Sequence, residues 1–443
     1  MKHIKIRTRT FLQGGIHPPE NKSVTYEHSI ENLPLPKKAI IPLSQHLGKP
    51  ALPVVKKGDT VSEGQLIGKK DGNYSSHVHS SITGKVTDIG PYYTASNVKS
   101  NCIVIQLEGE IKRMNADKPD WSNLSREQIL QRISEAGVVG MGGAAFPTDV
   151  KLNVPSDKKV DFFIVNGAEC EPYLTCDYRL MMEKPEEIVE GIQIIKKLLN
   201  VKKVFFGVEL NKRPALEHIA EHLREKDNIE LIALKVKYPQ GGEKQLIKAI
   251  LNKEVPSGGL PFDVGAVVSN VATINAVRDA VLFQKPVIER VVTVTGRIVK
   301  NPGNYKIRIG TPLSDVIADT GLTEEPAKII LGGPMMGPSV VSLDTPVTKG
   351  TSGILFLSEK EEKRVRYNAY RSCIHCAKCL MVCPVSLNPC MLSLQGEFET
   401  YDQMTRYDIM DCIECGCCNY VCPSFRPIVQ FIKLGKSFLK KKG

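Results

Sequence analysis

No stretch of this 443-residue chain approaches the run of about 18 uninterrupted apolar residues that a membrane-spanning helix needs. No such helix is expected. The amino-terminal MKHIKIRTRTFLQGG is basic but lacks the apolar centre of a secretory signal, so none is expected there. Aromatic residues are few, 6% with one tryptophan. They are not interleaved with a basic patch, and no helix-turn-helix or zinc-finger spacing occurs, so nucleic acid is not an expected partner. Cysteine is scarce for most of the length, since 3 of the 13 precede residue 370. A disulfide framework would need an oxidising compartment, for which nothing in the chain argues. The ten late cysteines point instead to metal or redox use.

Those cysteines fall in two near-copies. CIHCAKCLMVCP (Cys373–Pro384) and CIECGCCNYVCP (Cys412–Pro423) share Cys-Ile-x-Cys-x-x-Cys-x-x-Val-Cys-Pro at an offset of 39 residues. Three thiols in CxxC steps let one short loop hold three corners of an iron–sulfur cube. The fourth thiol, followed by proline, reaches across to the other cluster in two-cluster proteins. The spacing thus assigns Cys373, Cys376, Cys379 and Cys422 to one [4Fe–4S] cluster, and Cys412, Cys415, Cys418 and Cys383 to the other. Structural zinc would be complete with four ligands and has no use for the third CxxC step or the Cys-Pro closure. Cys417 and Cys390 stand outside the pattern, and a small buried hydrophobe is the role expected of Cys417.

The length suggests about three or more domains, and 42% hydrophobic with 24% charged residues is ordinary globular composition that can fill several cores. A formal charge of +11 suits an acidic partner, such as an acidic ferredoxin, a nucleotide or an anionic membrane surface. Lys440–Lys442 closes an amphipathic stretch, Pro427–Leu439, that reads either as a solvated terminus or as a docking helix.

Residues 1–115 read as all-β. KKGDTVSEGQLIGKKDG and HVHSSITGKVTDIG alternate apolar and polar residues between glycine turns. They resemble the barrel-sandwich hybrid of biotinyl and lipoyl carriers, with Asp71–Ser75 at the hairpin tip. Lys69 and Lys70 stand close to that tip, but the flanking residues a modifying ligase would recognise are missing, so a packing module is expected rather than a swinging arm. From 122 to 285 strands and helices alternate, as in a mostly parallel sheet covered on both faces. The expected helices include Ser125–Ala136, Pro185–Leu199, Pro214–Lys226 and Lys244–Leu251. The expected strands are Val160–Val165, Val204–Val208 and Ile229–Val236. Residues 286–357 are rich in short strands and suggest a β-grasp ligand-binding module. Residues 359–443 read as a helical two-cluster domain, with helix expected from Glu359 or Arg371 and again between the motifs.

Clusters move single electrons, so the chain should also hold a donor or acceptor. Gly140-Met141-Gly142-Gly143-Ala144-Ala145-Phe146 is a glycine turn of the kind that lets backbone N–H groups approach a phosphate, although as a signal it equally fits a tight packing turn. It follows a helix, unlike the usual dinucleotide fingerprint. Asn166–Pro172 follows a strand, where polar groups stand over a pocket at a sheet's carboxyl edge. Glu169 and Glu171 flank Cys170 there, and Ser269–Thr273 adds uncharged donors.

With these segments in order, the chain resembles the FMN- and NADH-binding subunit of respiratory complex I. Over its whole length, from GGIHPPENK to the second cluster motif, it resembles the C subunits of Rnf ion-translocating ferredoxin–NAD oxidoreductase complexes. The resemblance implies non-covalent FMN against Gly140, Gly142, Gly143, Lys151, Asn166, Asn270 and Thr273. It implies Phe146 stacked on nicotinamide, and Glu169, Glu171, Tyr238 and Glu243 lining the nucleotide pocket. Met141 and Ala168 depart from the complex I pattern, which has Arg and Asp there. A flavin links two-electron hydride chemistry to one-electron clusters, so the expected chain is NAD(H), FMN, two [4Fe–4S] clusters and a partner. The implied setting is peripheral, on the cytoplasmic face of the cell membrane, with membrane subunits and a ferredoxin-type protein as partners. Two rival readings are a microcompartment cobalamin reductase and a non-catalytic two-cluster wire.

Overall fold

The structure, a computed structural model, describes residues 7–109, 120–361 and 371–442. Among these, no helix is long and apolar enough to cross a membrane. Two small sheets form the barrel-sandwich domain. One orders the strands Lys38–Pro42, Lys99–Leu107, Gly84–Tyr93 and Thr60–Val61; the other orders Leu52–Pro53, Leu66–Lys69 and Val78–His79. Inward-facing Ile41, Val61, Ile67, Val78, Val86, Ile103 and Ile105 fill the space between them. The hairpin tip packs on the next domain. Lys70 donates to Asp149 (2.9 Å) and Ser134 (2.8 Å), and Tyr74 meets the Phe146 ring edge-on at 6.0 Å. Lys70 is tethered rather than poised as an arm.

The first described residues lie outside the barrel to which sequence alone assigned them. Arg7–Arg9 adds a parallel strand beside Ile229–Leu234, and Ile30–Asn32 pairs in parallel with Gly303–Arg308. Three-residue strands carry no readable periodicity, and only their distant partners define them.

The α/β domain is built on a five-stranded, wholly parallel sheet in the order Arg7–Arg9, Ile229–Leu234, Lys203–Glu209, Phe162–Gly167, Ala266–Asn270. Its strands run as unbroken apolar stretches because helices cover both faces. The helix Arg126–Glu135 starts at a capping box in which the Ser125 hydroxyl and Gln128 satisfy each other's backbone N–H. The helix Pro185–Leu199 has proline at its first position and buries Ile188, Ile192, Ile195 and Leu198. A helix over Cys176–Glu183 takes in the last residues of a stretch, Asn166–Arg179, that the sequence reads as a polar loop. Its start is stabilised from outside the segment, because the Glu169 carboxylate accepts the Asp177 N–H (2.8 Å).

The third domain is a mixed six-stranded sheet, in the order Ser339–Val340, Lys328–Leu331, Gly353–Leu357, Glu289–Thr295, Gly303–Arg308, Ile30–Asn32. The helix Leu313–Thr320 packs on it through Leu313 and Val316.

The cluster domain repeats in three dimensions as it does in sequence. Helices Lys378–Met381 and Pro389–Glu397 recur as Cys417–Tyr420 and Ile428–Lys442. Left-handed backbone at His375, Ala377 and Ser386 recurs at Glu414, Gly416 and Phe425. Residues 371–377 are not helical, contrary to expectation, because this loop folds around its own thiols. The rest of the helix expected from Glu359 lies outside the described residues beyond Glu361. Between the motifs the chain is helical over Pro389–Glu397, then tightens into 3-10 turns at Tyr401–Tyr407 and Ile409–Asp411. The amphipathic tail is the helix Ile428–Lys442, whose Ile428, Val429 and Ile432 pack against Leu392, Met404 and Ile409 of its own domain.

Candidate redox site

The expected flavin residues meet at the carboxyl edge of the parallel sheet. Asn166 and Asn270 stand side by side at the ends of paired strands. Asn166 Nδ2 donates to the Gly241 carbonyl (2.9 Å), and its Oδ1 accepts the Ala168 N–H (3.1 Å). Asn270 caps the helix Val271–Phe283 by accepting the Ala272 N–H (2.8 Å), while its Nδ2 donates to Asp177 (2.5 Å). The glycine turn lies over this edge. The Met141 N–H donates to Thr273 Oγ1 (2.8 Å), and the buried Arg290 guanidinium donates to the Met141 carbonyl. A Cβ on Gly142 would come within 2.8 Å of Asn270 Cβ, whereas one on Gly143 would meet nothing within 4 Å. Lys151 and Glu243 form an ion pair across the site at 2.6 Å. An open glycine turn, uncharged amides and one lysine fit a flavin phosphate and ring.

The two carboxylates of the Asn166–Pro172 loop diverge. Glu169 turns inward to the Asp177 N–H, and its other oxygen is buried without a partner, as is one oxygen of Asp177. Burial, then the Glu169 charge, pushes the Asp177 carboxyl up to about 7. Glu171 instead accepts the Met335 (3.1 Å) and Met336 (2.9 Å) N–H groups of the third domain, and burial pushes it up to about 7. Behind the loop stand two buried lysines that sequence reasoning passed over. Lys22 Nζ donates to the carbonyls of Glu169 (2.7 Å), Glu171 (2.9 Å) and Leu174 (2.5 Å). Lys212 donates to Glu209 (2.9 Å), Asn211 (3.2 Å) and the Glu169 carbonyl (3.1 Å). Lys22 belongs to the GGIHPPENK segment.

The cysteines line two cavities, sorted as the crossed assignment requires. One is lined by Cys383, Cys412, Cys415 and Cys418, with Cys417 alongside. The other is lined by Cys373, Cys376, Cys379 and Cys422, with Cys390 alongside. Backbone N–H groups already point at thiols: His375 to Cys373 (3.4 Å), Glu414 to Cys412 (3.4 Å) and Leu387 to Cys383 (3.3 Å). This donor set fits two cubane clusters.

The first cavity is the inner one. Tyr238, expected in the nucleotide pocket, is 2% exposed and packed with Ile16, Cys415 and Cys417. Its hydroxyl donates to the Cys415 carbonyl (2.8 Å), Gln245 donates to the Pro384 carbonyl (3.3 Å), and the Gly15 N–H donates to that of Val382 (2.9 Å). The α/β domain therefore abuts this cysteine set. The second cavity is the outer one, with Cys376 and its neighbours Ile374, His375 and Ala377 all exposed.

A glycine-lined flavin cradle joined to two cysteine cages defines a flavin- and iron–sulfur-dependent electron-transfer protein. Four domain profiles match in chain order: the RnfC barrel sandwich hybrid domain over 10–110, the Nuo51 FMN-binding domain over 133–279, the SLBB domain over 291–339 and a 4Fe-4S dicluster domain over 365–423. The chain is 48% identical to the C subunit of the proton-translocating ferredoxin:NAD(+) oxidoreductase complex of Clostridium ljungdahlii, over 96% of this chain and 93% of that one. It is 42% identical to the Na(+)-translocating counterpart of Acetobacterium woodii, over 98% of each. It is 41% identical to the C subunit of the ion-translocating oxidoreductase complex of Rhodobacter capsulatus, over 97% of this chain and 83% of that one. The chain belongs to the RnfC family, the C subunits of ion-translocating Rnf oxidoreductase complexes. A solved NAD+-reducing [NiFe]-hydrogenase in the air-oxidized state shares the fold, with a TM-score of 0.52 at 20% identity over 71% of this chain and 64% of that one.

Proposed function

We propose that this chain exchanges electrons between NAD(H) at the carboxyl edge of its parallel sheet and a ferredoxin-type partner at its outer cysteine set. It does so as a peripheral subunit on the cytoplasmic face of a membrane complex. One observation carries the order of the parts: the Tyr238 hydroxyl bonded to the Cys415 carbonyl, which seats the inner cysteine set on the nucleotide-side domain. Bound FMN supplies the exchange between two-electron hydride chemistry and one-electron clusters.

The chain's own residues set the geometry. Gly140, Gly142 and Gly143 leave backbone room for the flavin, with Lys151 as the cation for its phosphate. Asn166, Asn270 and Thr273 fix the turn and offer amide and hydroxyl groups to the ring. Phe146, half-buried and braced edge-on by Tyr74, presents a face for nicotinamide. Glu243 orients Lys151. Glu169 and Glu171 act by holding their loop to the neighbouring elements, and Tyr238 couples that region to the inner cluster. The relatives name different ions, protons in one and Na+ in another, and the choice of ion belongs to the membrane partners. The test is an anaerobic NADH titration of reconstituted protein with FMN and iron quantified. Flavin bleaching followed by cluster reduction is expected. About eight irons with FMN bound but no response to NADH would reject the reading.

A further inference from the structure

The outer cage holds five thiols where a cluster takes four. Cys390 lines it together with Cys373, Cys376, Cys379 and Cys422, and the Cys390 and Cys373 sulfurs are 3.5 Å apart. Two thiolates on one tetrahedral metal, each about 2.3 Å from it, stand about 3.8 Å apart. The pair is therefore close enough for one iron corner to be reached by either sulfur. A [4Fe–4S] iron takes a single protein thiolate, so only one of the two serves at a time.

The two sulfurs are mounted differently. Cys390 is on the first turn of the helix Pro389–Glu397, where Asn388 caps the Met391 N–H (3.1 Å). Leu392 and Ser393 bury that helix, and Arg426 clamps it through Ser393 (3.1 Å) and Glu397 (2.6 Å). Cys373 sits in a non-helical loop between exposed Ser372 and Ile374. The internal repeat supplies a control. The residue 39 positions after Cys390 is Val429, 7% exposed, which lines the inner cavity as an apolar wall. A thiol at this repeat position is particular to the outer site; the inner cavity's fifth sulfur, Cys417, stands at the repeat position of Lys378 and is aimed at the Tyr238 carbonyl (3.9 Å).

We propose that Cys390 is an exchangeable fifth ligand of the outer [4Fe–4S] site, taking the iron corner of Cys373 whenever that exposed loop lets go. In the exchange the Cys390–iron bond forms as the Cys373–iron bond breaks, Cys390 gives up its thiol proton and the departing Cys373 sulfur takes one up, with no change in electron count. The inference rests on reading the outer cage as a cluster site. Wild-type iron tests that reading separately, because about four irons per chain instead of about eight would remove the reading itself.

The experiment uses the full reconstituted chain and compares Cys373→Ala, Cys390→Val and the double variant by iron content, FMN content and EPR of the reduced protein. Each single variant should keep about eight irons and the double should keep about four, with FMN unchanged. The outer-cluster EPR signal should shift in Cys373→Ala while the inner signal stays. Loss of the outer cluster in either single variant, or its survival in the double, overturns the proposal. Should Cys373→Ala fail to fold, thiol alkylation of the wild type decides. Exchange predicts that Cys373 and Cys390 are both labelled, one per chain, and labelling confined to Cys390 overturns it.

Discussion

Lys212 and Glu209 form an ion pair with side chains 0% and 1% exposed, immediately behind the Asn166–Pro172 loop. In Lys212→Met the Glu209 carboxylate keeps its burial and loses its cation. One of its oxygens already lacks a partner. Breaking a buried pair from one side costs about 3–5 kcal/mol, whereas replacing both members by apolar residues is often neutral. The Glu169 carbonyl would still receive Lys22 at 2.7 Å, so the loss falls mainly on Glu209. With a urea slope of about 2 kcal/mol per molar, the unfolding midpoint of the α/β domain should drop by about 2 M. Lys212→Met/Glu209→Leu should recover most of that drop. The assay is urea unfolding followed by FMN release and by far-UV circular dichroism, since a multidomain chain need not unfold in one step. A cost below about 1 kcal/mol for the single variant, or a double variant no more stable than the single, would refute the reasoning.

Three further outcomes are expected. Glu171 is raised from 4.5 to about 7 by burial, so its contribution to stability is present below its unfolded value and is lost as pH rises through about 7. Stability profiles between pH 4.5 and 8 should show that decline, and Glu171→Gln should make it shallower, leaving the share that Asp177, also raised to about 7, contributes. Gly143→Leu should leave the apo fold unchanged, because a Cβ there meets nothing within 4 Å, yet lower FMN occupancy at least tenfold in a flavin titration, an affinity loss of about 1.4 kcal/mol or more. Normal occupancy would move the flavin elsewhere. Cys379→Ala, unlike Cys373→Ala, has no spare sulfur and should reduce iron from about eight to about four per chain while FMN is retained.

The legible parts of this protein were those with local signals. CxxC spacing sorted the eight motif cysteines into the two sets that line the two cavities, and the capped helix at Ser125 and the helix Pro185–Leu199 could be read from their periodicity. Relationships between distant segments were not legible. Nothing local marks Lys22 as the cation under Glu169, or the three-residue strand Arg7–Arg9 as an edge of the α/β sheet. The first turn of helix Cys176–Glu183, through Arg179, read as part of a polar loop because its amino-terminal N–H is satisfied by Glu169, outside the helix. Tyr238 and Glu171 lie in segments expected at the nucleotide pocket, but their side chains tie that region to the cluster and third domains. Sequence places a residue near a site, and packing decides which way it faces.

The most direct test of the account is rapid-freeze EPR after mixing NADH with two single-cluster variants, Cys379→Ala lacking the outer cluster and Cys418→Ala lacking the inner. The inner set stands between the nucleotide-side domain and the outer set, so the inner cluster of Cys379→Ala should be reduced at the wild-type rate. The outer cluster of Cys418→Ala should be reduced at least a hundredfold more slowly, a barrier increase of about 2.7 kcal/mol or more. Reduction of the outer cluster at the wild-type rate without the inner one would contradict the order of transfer.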